Sequence, residues 1–143
     1  HRDLHLSLRR QRQMCIRDSR YSTIAGFVEP GESAEQAVVR EVAEETGVEV
    51  TAMHYHSSQP WPFPGSLMLG YTATAGDDAI SLNDKELEDA RWLTRTQITE
   101  KLARGEFQLP TSISISSRLI EDWFNRKSDL PLGTLRERYP QTD

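Results

Sequence analysis

From residue 20 onward the polar and apolar positions fall into regular periods. Residues 21–27, YSTIAGF, form a short apolar run and predict a strand that ends in the turn Glu29-Pro30-Gly31. Residues 33–46 predict a helix, with Ser33 and Gln36 at capping-box spacing and Gly47 where a left-handed C-cap belongs. Residues 48–57 and 66–74 suit strands, Gly76-Asp77-Asp78 marks a turn, and residues 89–93 suit a further short strand. A short helix is expected over 96–104, stopped by Gly105. A longer one follows over 112–126, with Ile113, Ile120, Trp123 and Phe124 as its buried face. Residues 128–143 are polar and hold two prolines, which predicts a loosely held tail. Strands and helices in this order predict an α/β fold whose sheet is covered on both faces.

Between two of the expected strands lies SQPWPFPGS, residues 58–66. Its three prolines exclude a helix and a central strand, because too many backbone donors are missing. Two large rings, Trp61 and Phe63, therefore sit on a stiff backbone. Alone, the segment reads equally as a packed loop or as a docking stretch for a partner module.

The first nineteen residues, HRDLHLSLRRQRQMCIRDS, are arginine-rich and hold the single cysteine, Cys15. They read as a basic arm for nucleic acid or as a disordered tail. Residues 9–19 also resemble the in-frame translation of a transposase adapter used in sequencing-library preparation, so residues 1–19 are set apart as a non-native arm. The LHLSL alternation within it imitates a strand, since five residues of period two arise easily.

Composition narrows the function classes. The chain has 143 residues, 36% hydrophobic and 27% charged, with a formal net charge of −5. That suits one domain, and an acidic one is not expected to hold polyanions by bulk electrostatics. Phosphate handling would be local, through a divalent cation. One cysteine excludes an internal disulfide framework and a multi-cysteine zinc site. With no transmembrane-length apolar run and no signal peptide, a soluble cytoplasmic protein is expected.

The candidate chemistry lies on the first helix. At 3.6 residues per turn Glu41 and Glu45 share one side, and Glu44 falls in the same arc. Val38, Val39 and Val42 point to a neighbouring face, so the helix is expected to pack while exposing its acids. Like charges four residues apart cost a helix about 0.2–0.5 kcal/mol. These also stand in its last turns, where the dipole prefers cations. A hard divalent cation would relieve both penalties, and Mg²⁺ or Mn²⁺ is the natural candidate. A solvated acidic face, with Arg40 paired to Glu44, accounts for the same cluster.

Gly26, Glu32, Arg40, Glu41, Glu44, Glu45 and Gly47, with Val42 and Val48 in the aliphatic positions, reproduce the pattern G-x5-E-x7-R-E-U-x-E-E-x-G-U. The segment resembles the Nudix hydrolase family, which cleaves a nucleoside diphosphate linked to another moiety. The resemblance implies an α/β/α sandwich with a mixed sheet. It also implies Mg²⁺ or Mn²⁺ held by Ala25 (through its carbonyl), Glu41, Glu44 and Glu45, with Arg40 steadying the acids and Glu32 structural. SQPWPFPGS resembles the signature that follows this box in NADH pyrophosphatases. On that resemblance Gln59, Pro60, Trp61, Pro62, Phe63, Pro64, Gly65 and Ser66 are expected to shape the substrate pocket. Glu86 carries over as a distal metal ligand or base, although the run DKELED also reads as plain surface acid. Ser116, at the start of the last predicted helix, carries over to the nucleotide pocket. His54 and His56, two apart, lack a third ligand and read as surface or packing residues.

The implied reaction is hydrolysis of NADH or NAD⁺ to AMP and nicotinamide mononucleotide, by a homodimer. Removal of an NAD cap from RNA is a secondary activity, because no basic groove is legible. The alternatives are a Nudix hydrolase of ADP-ribose or dinucleoside polyphosphates, and a non-catalytic nucleotide-binding module. The resemblance covers about residues 20–127. The N-terminal domain and zinc ribbon that NADH pyrophosphatases carry are not in this sequence. The sheet is expected to be incomplete at its N-terminus, and the polypeptide marginally stable and weakly active.

Overall fold

The computed structural model describes residues 6–11, 21–61, 65–76, 80–81 and 87–141. Two antiparallel sheets and four helices make up the described part. Strand β1 (Leu6–Gln11) lies between β2 (Tyr21–Thr23) and β5 (Leu87–Leu93), in the order β2-β1-β5. Its register pairs Leu8 with Thr23 on one side and with Arg91 on the other. The sheet expected to lack a strand before Tyr21 is thus filled by backbone from the segment set apart as an arm. The second sheet is the hairpin β3 (Val50–Trp61) and β4 (Ser66–Ala75).

Helix α1 (Ala34–Thr46) is where local signals placed it. Gln36 N–H donates to Ser33 Oγ over 3.1 Å, and Ser33 N–H donates to Gln36 Oε1 over 2.9 Å. Gly47 closes the helix at φ 71°, its N–H donating to Ala43 O over 2.8 Å. Helix α2 (Arg95–Ala103) opens with a second capping box at Thr94 and Gln97. Helices α3 (Ile115–Asn125) and α4 (Leu132–Arg138) complete the chain.

Five expectations are corrected. The strand expected over 21–27 ends at Thr23, because the backbone beyond it leaves the sheet to form the loop before α1. Strand β3 runs on through Pro60 to Trp61. A two-stranded hairpin has no inner strand, so proline's missing donor costs no ladder bond that a central strand would need. Ile113 is exposed rather than buried, since α3 starts only after the N-cap Ser114 and Ile113 precedes the helical face. The tail expected to be loose forms α4, whose Leu132 and Leu135 are fully buried. Within α1, Val39 is exposed while Ala37 and Glu45 are buried.

One core joins β2, β5 and the last three helices, and includes Leu93, Ile98, Phe107, Ile120, Phe124 and Leu132. Tyr21 stacks on Phe107 with centroids 5.2 Å apart. Arg95 lies 4.1 Å over the Trp123 ring and donates to the carbonyls of Trp123 and Phe124, which are last-turn acceptors of α3. His56 on β3 pairs with Asp122 on α3 and with Ser57 Oγ, which makes it a packing residue. Among the described residues no helix is long and apolar enough to cross a membrane.

Candidate active site

Loop residues 24–32 fold back over α1 and are held there by one side chain. Arg40 Nε donates to Glu32 Oε2 over 2.7 Å, and Nη2 donates to Glu32 Oε1 over 2.9 Å, a two-pronged fork that fixes the guanidinium plane. Nη2 also donates to Phe27 O over 2.9 Å, which pins the loop backbone. Nη1 reaches Glu41 Oε1 at 2.8 Å and Glu44 Oε2 at 3.2 Å. Glu29 adds a looser ionic contact at 3.8 Å, and its N–H donates to Glu32 Oε1 over 3.1 Å. The hydrogen bond from Arg40, then that from Glu29 N–H, hold the Glu32 carboxyl down to about 2. The same contacts, Glu32 first and Glu41 second, push Arg40 further up.

One guanidinium therefore faces three carboxylates within hydrogen-bonding distance, and negative charge is in surplus. Gly26 lies against this cluster. A Cβ there would overlap the Glu41 carboxyl group, so the absence of a side chain at 26 is what seats that carboxyl against the loop. The structure brings together Arg40, Glu41 and Glu44 as the sequence pattern expects. Glu45 is only 3% exposed, so it is covered while Glu44 stays open to solvent. Among the described residues no three His, Cys, Asp or Glu side chains form a ready cation cage, because Glu41 and Glu44 are turned onto Arg40. The carboxylates gathered on Arg40 are nevertheless hard oxygen donors, the chemistry that suits Mg²⁺ or Mn²⁺.

Of the SQPWPFPGS residues, Trp61 pairs with Ser66 at the end of the hairpin, and its ring is half-exposed. Pro60 pairs with Leu67, and Gly65 turns the chain at φ 91°. Gln59 donates to Ile113 O over 2.8 Å and accepts from Ile115 N–H over 2.9 Å, so its carboxamide bridges β3 to the start of α3. Ser116 Oγ accepts from Thr23 N–H over 3.0 Å and lies 2.9 Å from Thr23 Oγ1. Pro62, Phe63, Pro64 and Glu86 lie outside the described residues. Sequence reasoning missed Thr23, whose contact spans 93 residues and leaves no local signal. It also missed Tyr71, whose hydroxyl donates to Glu35 on α1 over 3.2 Å and whose ring meets Tyr55 edge-on.

The model of the NUDIX domain matches residues 4–112. The human NAD-capped RNA hydrolase NUDT12 is 44% identical over 113 residues, which is 77% of this chain and 24% of that protein. The NAD-capped RNA hydrolase NudC of Pseudomonas putida is 47% identical over 111 residues, 78% of this chain and 37% of that protein. The chain thus spans well under half the length of these curated relatives. Among solved structures, the NUDIX domain of Shewanella oneidensis NrtR complexed with ADP ribose matches 90% of this chain and 81% of that one. Its TM-score is 0.65 at 19% identity, a likeness of fold.

Proposed function

This chain belongs to the NUDIX domain family, and from that premise we propose that it hydrolyses the diphosphate of NADH or NAD⁺ to AMP and nicotinamide mononucleotide. The observation that carries the reading is the arginine-centred cluster of Glu32, Arg40, Glu41 and Glu44 seated against Gly26, in a chain that also carries SQPWPFPGS. Likeness to proteins named as NAD-capped RNA hydrolases supports the choice of a nicotinamide dinucleotide.

Glu41, Glu44, Glu45 and the Ala25 carbonyl are the groups that would hold Mg²⁺ or Mn²⁺. When bound, such an ion polarises diphosphate oxygens and acidifies water. Glu44 is the most exposed of the three carboxylates on Arg40 and has the longest bond to it, which suits it to orient the attacking water and take its proton. Water adds to phosphorus, the bridging P–O bond breaks, and its electrons leave on the released phosphate. Arg40 keeps Glu41 and the Phe27 carbonyl in register with that chemistry. Trp61, on a backbone stiffened by Pro60, offers an aromatic wall for the nucleotide at little cost in ordering. The same reading assigns Pro62, Phe63, Pro64, Gly65 and Ser66 to substrate binding and Glu86 to the role of a distal acid. The working enzyme is a homodimer.

Turnover of NADH, ADP-ribose, diadenosine polyphosphate and NAD-capped RNA, each with Mg²⁺ and Mn²⁺, tests the assignment. NADH is expected to give the highest kcat/KM of the small molecules. Preference for ADP-ribose or for the polyphosphate would replace the substrate, and binding without turnover would replace the enzyme by a nucleotide-binding module. A second reading, NAD-capped RNA as the preferred substrate, is favoured by the relatives' names and would appear as faster release from the capped RNA than from NADH.

A further inference from the structure

Four parts of the chain converge on the first turn of α3. Gln59 grips its backbone from β3 at Ile113 O and Ile115 N–H. Thr23 grips it from β2 through Ser116 Oγ. Arg136 on α4 donates to Ser117 Oγ over 2.7 Å and to Pro110 O over 3.0 Å. Gly70 on β4 lets Ile115 pack close, since a Cβ there would stand 3.0 Å from Ile115 Cδ1. The family resemblance puts Gln59 and Ser116 among substrate contacts. In the structure, both ends of the Gln59 carboxamide bond the backbone before and at the start of α3. The Ser116 hydroxyl is likewise engaged with Thr23.

Thr23 is the last residue of β2, and Ala25 and Gly26 follow two and three residues later. Where Thr23 is anchored therefore sets where the loop leaves the sheet, and so where Gly26 meets the Glu41 carboxyl. On the other side Gln59 stands two residues before Trp61. We propose that Ser116 and Gln59 are positioning residues, which fix the acid loop and the Trp61 segment relative to each other through the first turn of α3. This rests on the hydrolase reading for its kinetic consequence, and on geometry alone for its coupling.

The two roles separate in kinetics. A lost substrate contact raises KM and leaves kcat, whereas a displaced acid loop lowers kcat. With Ser116→Ala, kcat should fall about three- to tenfold, the worth of one lost hydrogen bond, with KM within about twofold. Ser116→Thr, which keeps the hydroxyl, should recover most of it. Thr23→Val should lower kcat in the same direction, and the double variant should be no worse than Ser116→Ala alone. A rise in KM at constant kcat, or effects that multiply, would overturn the proposal. Thermal melts of the unsubstituted protein, Ser116→Ala, Thr23→Val and the double variant, without nucleotide, form an independent arm. Losses in Tm that do not add support the coupling, and additive losses overturn it even in a chain that turns nothing over. Absence of turnover in the unsubstituted protein would count against the hydrolase reading alone.

Discussion

Gly26→Ala isolates the seat of Glu41 from the rest of the fold. Gly26 does not have a positive φ, so alanine fits the backbone without strain. The new methyl, however, would stand 2.5 Å from Glu41 Cγ and nearer still to the carboxyl. Ordinary carbon contacts are about 3.5–4.0 Å, so the side chain must retreat by roughly 1.5 Å. It is long and flexible, and the helix beneath it need not move. The fold loses little, and the substitution itself returns about 0.4–1 kcal/mol by restricting the unfolded chain. At about 2–4 °C per kcal/mol for a chain of this size, Tm should stay within about 5 °C of the unsubstituted protein. Activity should not survive so well. A misplacement of ~1 Å can cost ~100-fold in rate, and retreat also breaks the bond from Arg40 Nη1 to Glu41. NADH turnover, followed by chromatographic release of the mononucleotide, is expected to fall about 10- to 100-fold. Turnover within twofold of the unsubstituted protein would refute the reasoning, and so would a Tm lowered by more than about 10 °C, which would make Gly26 a folding residue.

Other consequences follow from the same contacts. Glu32 is held at about 2, below its ordinary 4.5, so the stability it contributes is fully present above about pH 4.5 and is lost as pH falls toward 2. In Glu32→Gln, Tm should fall less steeply across that window, and parallel curves would contradict the assigned bond. Leu132→Ala should cost about 2–5 kcal/mol in urea denaturation, because Leu132 is fully buried. A loosely held tail would lose under about 0.5 kcal/mol.

Helix α1 was legible because its determinants are local: a capping box three residues wide, a glycine at the left-handed stop, and acids one turn apart. The arginine-centred cluster followed, since Glu32 and Arg40 bind across eight residues of loop and helix. Helical geometry puts Glu41, Glu44 and Glu45 on one arc, but only the packing of the rest of the chain decides that Glu45 is covered. Helix α4 was missed for a similar reason. Leu132 and Leu135 have helical spacing, yet the run is dominated by polar residues, and burial depends on a core that Phe107, Ile120 and Phe124 build upstream. Strand β1 was discounted on its resemblance to adapter sequence, and backbone pairing between β2 and β5 is not written in side-chain pattern. The strand expected to stop at residue 57 runs on through Pro60, because the prolines exclude a central strand and not one in a two-stranded hairpin.

The most direct test of the account is single-turnover conversion of NADH by the unsubstituted chain beside Glu44→Gln, in Mn²⁺, with nucleotide binding measured on both. The account predicts that the unsubstituted chain releases AMP and the reduced mononucleotide. Glu44→Gln should bind the dinucleotide within about threefold but release product at least about 100-fold more slowly, as expected for a general base. Equal release by the two proteins would contradict it.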